Sequence, residues 1–155
     1  MNEVIRMELD AIKTPEDILE FMKTHIKYGW LDIYNQAHIG NMKDFRKLYR
    51  TSSIEEVLQT NLMHYLLNKI GIKNKMFCCR IYEPNHYDNM EAEEHMHCFV
   101  LYEQNHFIYH IEHPNWEKIG IYQYPSEEEA LSDIVQYYVQ KSGGVERPTT
   151  AFYEV

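Results

Sequence analysis

Two neighbouring runs of aromatic and β-branched residues place the strongest constraint on how this 155-residue chain can fold. They span residues 94–103 and 107–113, and the turn-forming dipeptide Gln104-Asn105 lies between them. Runs of this composition around a short polar turn predict an antiparallel β-hairpin. Residues 96–102 carry apolar side chains on both faces of the first strand, which predicts that this strand lies in the centre of a sheet.

The register of this hairpin would bring a histidine and a glutamate together. If Gln104-Asn105 forms the loop, Glu103 faces His106 and His97 lies directly opposite Glu112. Directly opposed residues share one face of the sheet, with Cβ atoms about 4.5–5.5 Å apart. A carboxylate there can orient an imidazole and stabilise its charged form, as in a nucleophile–base–orienter set. His97 is therefore the candidate general base and Glu112 the candidate orienting acid, whereas a loop of odd length would separate them.

Helix and strand signals around the hairpin predict an α+β domain. Thr14-Pro15 marks a capped helix start. Ser52 or Ser53, followed by Glu55 or Glu56, is a capping-box signature for an amphipathic helix that ends at Gly71. Further predictions are strands at 76–82 and 120–124, loops at 31–51 and 83–94, and a last helix after Pro125-Ser126. Helices followed by antiparallel strands and a closing C-terminal helix are typical of this class. We expect one domain over residues 1–144 and a tail over residues 145–155, either loose or forming an edge strand.

Charge and cysteine content exclude several classes of partner and setting. The formal net charge of −9 argues against a nucleic-acid partner, because phosphate binding requires clustered Lys and Arg. No apolar run approaches the ~20 residues that span a membrane, so no membrane association is expected. Three cysteines, of which Cys78 and Cys79 are adjacent, do not suit a disulfide framework. A reducing, cytoplasmic setting is therefore expected.

The chain resembles the transglutaminase-like domains with a papain-like core, and is similar to uncharacterised bacterial or phage members of that group. The resemblance covers most of residues 12–140 and is strongest at His97-Cys98-Phe99-Val100-Leu101-Tyr102. The resemblance also includes a first segment of residues 15–19 that continues into residues 26–30. Its remaining matches are residues 53–58, residues 111–114, Trp116 and Gly120-Ile121. The resemblance implies N-terminal helices packed on an antiparallel sheet, with a closing C-terminal helix. It also implies a cysteine hydrolase or acyltransferase that acts on amide bonds.

In similar proteins the strand histidine is the general base and an acid on the next strand orients it, and these roles map onto His97 and Glu112. The resemblance implies a peptide, protein or small amide as substrate or ligand and no cofactor. It also places a nucleophilic cysteine at a helix start between Leu58 and Tyr65, where the helix dipole helps to stabilise a thiolate. No cysteine lies there.

Two explanations for the missing nucleophile remain open at this point. In the first, the chain has lost its cysteine and is a catalytically inactive binding module for a peptide or small ligand. In the second, a short cysteine-bearing segment is absent between Asn61 and Leu62. The continuous helical stripe across Asn61-Leu62 favours the first explanation. The absence of the intervening turn that the family has favours the second.

The cysteines that are present offer weaker alternatives. Cys98 follows His97 directly in a strand, so the two side chains point to opposite faces. Cys78 or Cys79 could lie on a neighbouring strand, on the His97 face. A thiol in mid-strand lacks the helix terminus that would lower its pKa, and buried cysteines are usually inert packing residues.

Several other side chains are compatible with alternative roles. Thr60 and Ser53 are hydroxyl alternatives to a thiol nucleophile, but Thr60 is expected on the helix surface and Ser53 as an N-cap. Gln59 or backbone amides would supply an oxyanion site. A binding cleft would be lined by His97, Trp30 and Trp116. A metal site is also geometrically possible, because neutral imidazoles and a carboxylate are zinc or iron ligands. Its candidate ligands are His95, His97, His110, Glu112 and His113.

Overall fold

The computed structural model describes residues 3–27, 30–31, 53–84, 92–141 and 152–154. The helices in these ranges are α1 (Glu3–Ala11), α2 (Pro15–His25), α3 (Ser53–Lys69) and α4 (Glu127–Lys141), with a 3₁₀ turn at Trp116–Lys118. The strands are β1 (Ile26–Lys27), β2 (Trp30–Leu31), β3 (Asn74–Pro84), β4 (Ala92–Gln104), β5 (Phe107–Glu112), β6 (Gly120–Tyr124) and β7 (Phe152–Glu154). The α+β class is therefore confirmed.

The helix boundaries follow from local capping chemistry. Thr14 Oγ1 accepts a hydrogen bond from the Asp17 backbone N–H at 3.2 Å, and Asp17 Oδ2 accepts one from the Thr14 backbone N–H at 3.1 Å. This reciprocal capping box, with Pro15 in the first turn, fixes the start of α2 as predicted. Gly71 adopts a φ of +78° just after α3, a conformation that glycine tolerates at a helix end. Helix α1 was not predicted from the sequence.

The main sheet is antiparallel, with the strand order β6-β5-β4-β3-β7. Strand β4 is central, as predicted, and β7 adds an edge strand within the predicted tail. Strands β3 and β4 are longer than expected, because residues 83–84 and 92–94 are paired rather than part of a loop. Of the predicted loop at 31–51, Leu31 instead pairs with Ile26 in a two-stranded ribbon, and the remainder lies outside the described residues.

The loop of the β4–β5 hairpin is shifted by one residue from the prediction. Gln104 pairs with Phe107, so the two loop residues are Asn105 and His106, with φ values of 53° and 68°. A two-residue turn with positive φ at both positions suits the twist of antiparallel strands. Asn and His enter this left-handed region more readily than Gln does, which explains why Gln104 stays in the strand. The predicted pairing of Glu103 with His106 is therefore wrong, and Glu103 faces Ile108.

The core lies on both faces of the sheet. On one face, here called the α2/α3 face, helices α2 and α3 pack against the sheet residues Met76, Val100, Tyr102 and Ile111. On the opposite face, here called the α4 face, Ala130 and Ile134 of α4 pack against Phe77, Phe99 and Leu101. Because successive strand residues alternate between faces, His97 belongs to the α4 face with Phe99 and Leu101. In the described ranges, no helix combines the length and apolar character needed to cross a bilayer.

Candidate functional site

The shifted register changes how His97 and Glu112 meet, but they remain in contact. Continuing the β4–β5 register one step beyond the pair Val100–Ile111 sets Glu112 beside Phe99, so His97 is the diagonal neighbour of Glu112. The predicted direct opposition is therefore wrong. Diagonal neighbours on one face are still within reach of long side chains. His97 Nε2 lies 3.3 Å from Glu112 Oε2, and the side chains are 4% and 1% exposed.

Glu112 is a fully buried carboxylate that accepts hydrogen bonds from three described groups. Oε2 accepts from His97 Nε2 and, at 2.7 Å, from His110 Nε2, while Oε1 accepts from the Asn115 backbone N–H at 2.9 Å. Burial tends to raise the pKa of Glu112, but its electrostatic interaction with His97 and the hydrogen bonds from His110 and His97 lower it more. The pKa of Glu112 is therefore well below its usual range, and the group is an anion at neutral pH.

His110 donates to Glu112 in a largely apolar environment. Its ring meets Phe99 edge-on, with centroids 5.3 Å apart, and lies 5.9 Å from the ring of Tyr122. Burial lowers the pKa of His110, even though the hydrogen bond to Glu112 acts in the opposite direction. His110 is therefore a neutral imidazole with its hydrogen on Nε2. Within the described residues, its buried Nδ1 has no hydrogen-bond partner. The i, i+2 spacing places His110 and Glu112 on one face of the strand, and the sequence predicts this pair only as metal ligands, not as a hydrogen-bonded pair that fixes the carboxylate.

His97 is oriented by the same carboxylate and by an aromatic neighbour. Its ring stacks on Phe99 with centroids 5.8 Å apart and an interplanar angle of 18°. Because Nε2 faces the anionic Glu112, the neutral tautomer carries its hydrogen on Nε2 and its lone pair on Nδ1. A proton taken up at Nδ1 would create an imidazolium next to a carboxylate. The arrangement can therefore perform the task of a general base with an orienting acid.

The strand register separates the three cysteines of the chain. Cys79 of β3 is the direct partner of His97 of β4, so its position belongs to the α4 face. Cys78 and Cys98 are each other's partners and occupy the opposite face. The sequence alone could not decide between Cys78 and Cys79, because the β3–β4 register was unknown.

Helix α3 contributes buried polar groups on the other side of β4. Gln59 Oε1 lies 2.7 Å from Nδ1 of His113, and Thr60 Oγ1 donates to the Cys98 carbonyl at 3.0 Å. The expectation that Thr60 is a helix-surface residue is wrong, since it is fully buried against the sheet and its hydroxyl is engaged there. Gln59 faces His113 rather than the His97–Glu112 contact. The side chain of Ser53 lies outside the described ones.

Helix α3 continues unbroken through Asn61 and Leu62. Its buried residues Met63, Leu66 and Leu67 pack on the α2/α3 face. The resemblance implies a nucleophilic cysteine in α3, but the sheet separates the body of this helix from His97 and Glu112.

The metal and cleft alternatives gain no support from the described residues. No group of three or more His, Cys, Asp or Glu among them is arranged to hold a metal ion. Both histidine Nε2 atoms instead converge on one oxygen of Glu112. The side chains of His95, Trp30 and Trp116 lie outside the described ones, so the proposed cleft lining cannot be traced. A shallow groove of about 240 Å³ lies elsewhere, along α1 and α2, lined in part by Glu8, Phe21 and His25.

His113 makes the stability of the fold sensitive to acid. Burial lowers its pKa to about 4, against an ordinary value of 6.5, despite the opposing effect of the Glu112 charge. Below about pH 6.5 the unfolded chain binds a proton that folded His113 does not, so stability is full above that pH and falls toward pH 4. His113 contributes at most about 1.4 kcal/mol per pH unit to this loss, and the buried, neutral His110 adds to it with the same sign.

We expect His113→Gln to lose less stability than the wild type between about pH 7 and about pH 4.5 in urea unfolding. His106→Asn, a change at an exposed turn residue that keeps a side chain tolerant of positive φ, is the matched control and should keep the wild-type pH dependence. An unchanged acid loss in His113→Gln would show that this imidazole does not titrate as described.

Comparisons with known proteins returned no relatives. No family model matches the chain, no curated protein matches it, and no solved structure matches it. The geometry of the His97, His110 and Glu112 side chains and the register of the neighbouring strands are therefore the observations that bear on function.

Proposed function

We propose that this chain is a transglutaminase-like domain with a papain-like core that breaks amide bonds through a thiol. In this proposal His97 is the general base and Glu112 orients it. The observation that carries the proposal is the buried contact of 3.3 Å between His97 Nε2 and Glu112 Oε2. A base held by a third group is the arrangement that activated nucleophiles require. The additional donors to Glu112, from His110 and Asn115, fix the carboxylate in place.

The nucleophile in this proposal is Cys79. It is the direct ladder partner of His97, so the positions of Cys79, His97 and Glu112 lie on three adjacent strands in the order β3, β4, β5. A strand cysteine has no helix dipole to lower the pKa of its thiol. A neighbouring imidazolium lowers the pKa of the thiol instead, because its positive charge stabilises the thiolate. Glu112, ionised and two residues along the face, in turn stabilises that imidazolium.

The proposed reaction has two steps, acylation of the thiol and deacylation of the thioester. His97 Nδ1 takes the thiol proton, and the thiolate sulfur attacks the carbonyl carbon of the amide, forming a C–S bond. The C–N bond then breaks, and the amine leaves with the proton that His97 carried. Water, or an amine acceptor, attacks the resulting thioester with His97 again taking the proton, and the thiol is regenerated. Two groups of substrates fit this scheme: peptide amides and small amides.

The experiment is a hydroxamate assay on the full chain with a mixture of amide-containing peptides and hydroxylamine. Hydroxylamine captures the acyl group of an acyl-enzyme as a hydroxamate, and the cysteine variants then show whether a thiol carries that acyl group. We expect wild type to form hydroxamate and Cys79→Ser to form none. Cys78→Ser and Cys98→Ala are the matched controls and should retain turnover, because both positions lie on the other face.

The possible outcomes separate the parts of the proposal. If Cys79→Ser is active and one of the control variants is inactive, Cys79 is not the nucleophile, but the reaction still uses a thiol. Turnover that survives in all three variants would remove the thiol mechanism. Wild type without turnover on any amide in the mixture would count against the enzyme and in favour of the alternative below.

A second candidate function is a binding module without catalysis, for a peptide or small ligand. The observation that favours it is the burial of His97, which is only 3% exposed, together with an unbroken α3 that carries no cysteine. A ligand would then bind to the fold without reaching the imidazole. Ligand-induced stabilisation with no hydroxamate in any condition would support this function over the first.

A further inference from the structure

We propose that Cys78 and Cys98 form a redox pair that closes to a cross-strand disulfide. The two residues are direct partners in the antiparallel register of β3 and β4, and neither of them forms a disulfide in the structure. Cys98 is fully buried, whereas Cys78 is partly exposed. The inference stands on this pairing and does not depend on the proposed amide chemistry.

The spacing of the two positions is what a disulfide needs. Directly opposed residues in an antiparallel pair have Cα atoms about 4.5–5.5 Å apart. Disulfides join cysteines whose Cα atoms are about 4.4–6.8 Å apart, so the two ranges overlap without any movement of the strands. Both positions lie on the same face of the sheet, which is the second geometric requirement.

The neighbouring cysteine cannot replace either member. Cys79 is the partner of His97, and its position belongs to the opposite face from Cys98. Adjacent strand residues alternate between faces, so Cys78 and Cys79 are also badly placed to bridge to each other. The register therefore predicts one intramolecular connection out of the three that three cysteines allow.

The unequal exposure of the two thiols sets the order of events with a disulfide oxidant such as oxidised glutathione. The thiolate of Cys78, the more accessible member, attacks the oxidant, forms a mixed disulfide and releases one glutathione thiolate. The thiolate of Cys98 then attacks the Cys78 sulfur and releases the second glutathione. In total the protein loses two electrons and two protons, and one oxidised glutathione becomes two reduced molecules.

The test treats the full native chain with oxidised glutathione, alkylates the remaining thiols and maps the tryptic peptides by mass spectrometry. We expect the peptide of residues 76–80 to be linked to the peptide that contains Cys98, through Cys78, with Cys79 alkylated. Cys79→Ser is the matched control and should form the same link to the same extent. Cys98→Ala should stop at the mixed disulfide and accumulate the glutathione adduct on Cys78.

Three results would overturn the inference. They are a link from Cys79 to Cys98, a stable glutathione adduct on Cys78 of the wild type, and recovery of Cys98 as an alkylated thiol after prolonged oxidation. Circular dichroism of each variant before oxidation establishes that it is folded. If Cys98→Ala does not fold, the wild type and Cys79→Ser still decide the connectivity.

Discussion

Replacing Glu112 with alanine is expected to lower the free energy of unfolding by about 3–5 kcal/mol. The change removes the acceptor of two imidazole N–H groups and of the Asn115 backbone N–H, all at buried or partly buried positions. Donors left without a partner in the interior lose their hydration without compensation. Urea unfolding at neutral pH measures the effect through the midpoint and the slope.

Glu103→Ala is the matched control for this prediction. Glu103 lies in the same strand pair, but its ion pair with Lys73 is at the surface, with the two side chains 47% and 75% exposed. Its loss should cost less than about 1 kcal/mol. Glu112→Gln should fall between the two variants, because an amide offers one acceptor where the carboxylate offers two. Equal effects of Glu112→Ala and Glu103→Ala would contradict the network around Glu112.

Replacing His97 with alanine is expected to affect activity far more than stability. Without a general base, turnover in the hydroxamate assay should fall by about 10²–10⁴-fold. Glu112 keeps its bonds from His110 and from the Asn115 backbone, so the buried carboxylate stays paired and the fold survives. We expect a cooperative unfolding transition at neutral pH with a smaller loss of stability than in Glu112→Ala.

The matched control for this prediction is His106→Ala, because His106 is an exposed histidine in the turn of the same hairpin. It should retain full turnover. His97→Gln, which preserves a side chain able to donate to Glu112, should be as inactive as His97→Ala but more stable. Turnover that persists in both His97 variants would show that the pairing of His97 with Glu112 is structural.

Sequence patterns predicted the elements that depend on local chemistry. The start of α2 follows from the Thr14 cap and Pro15, and β6 spans the predicted residues because turn residues bound it on both sides. Strand β4 was assigned a central position from its two apolar faces. These features depend on neighbours within a few positions of the chain, which a single sequence displays.

The geometry of the candidate site could not be predicted from local sequence patterns alone. The shift of the hairpin loop to Asn105-His106 turned the expected opposition of His97 and Glu112 into a diagonal contact. Moving the loop by one residue changes the cross-strand partner of each residue by two positions, so His97 and Glu112 stay on the same face of the sheet and remain in contact. A change of one position would have put them on opposite faces. The pairing of Cys79 with His97 could not be predicted, because the sequence between the two strands, residues 85–91, contains no two-residue turn signal that would fix their register.

The most direct test of the proposed nucleophile–base–orienter set is the pH dependence of Cys79 alkylation by iodoacetamide, read from the peptide of residues 76–80. We expect wild-type Cys79 to react readily at about pH 6, well below the usual thiol pKa of about 8.5. In His97→Gln the reaction should slow by at least about tenfold at that pH and become fast again only near the ordinary thiol pKa. The same pH profile in both proteins, rising near about pH 8.5, would contradict the proposed nucleophile–base–orienter set, because His97 would then exert no influence on the thiol.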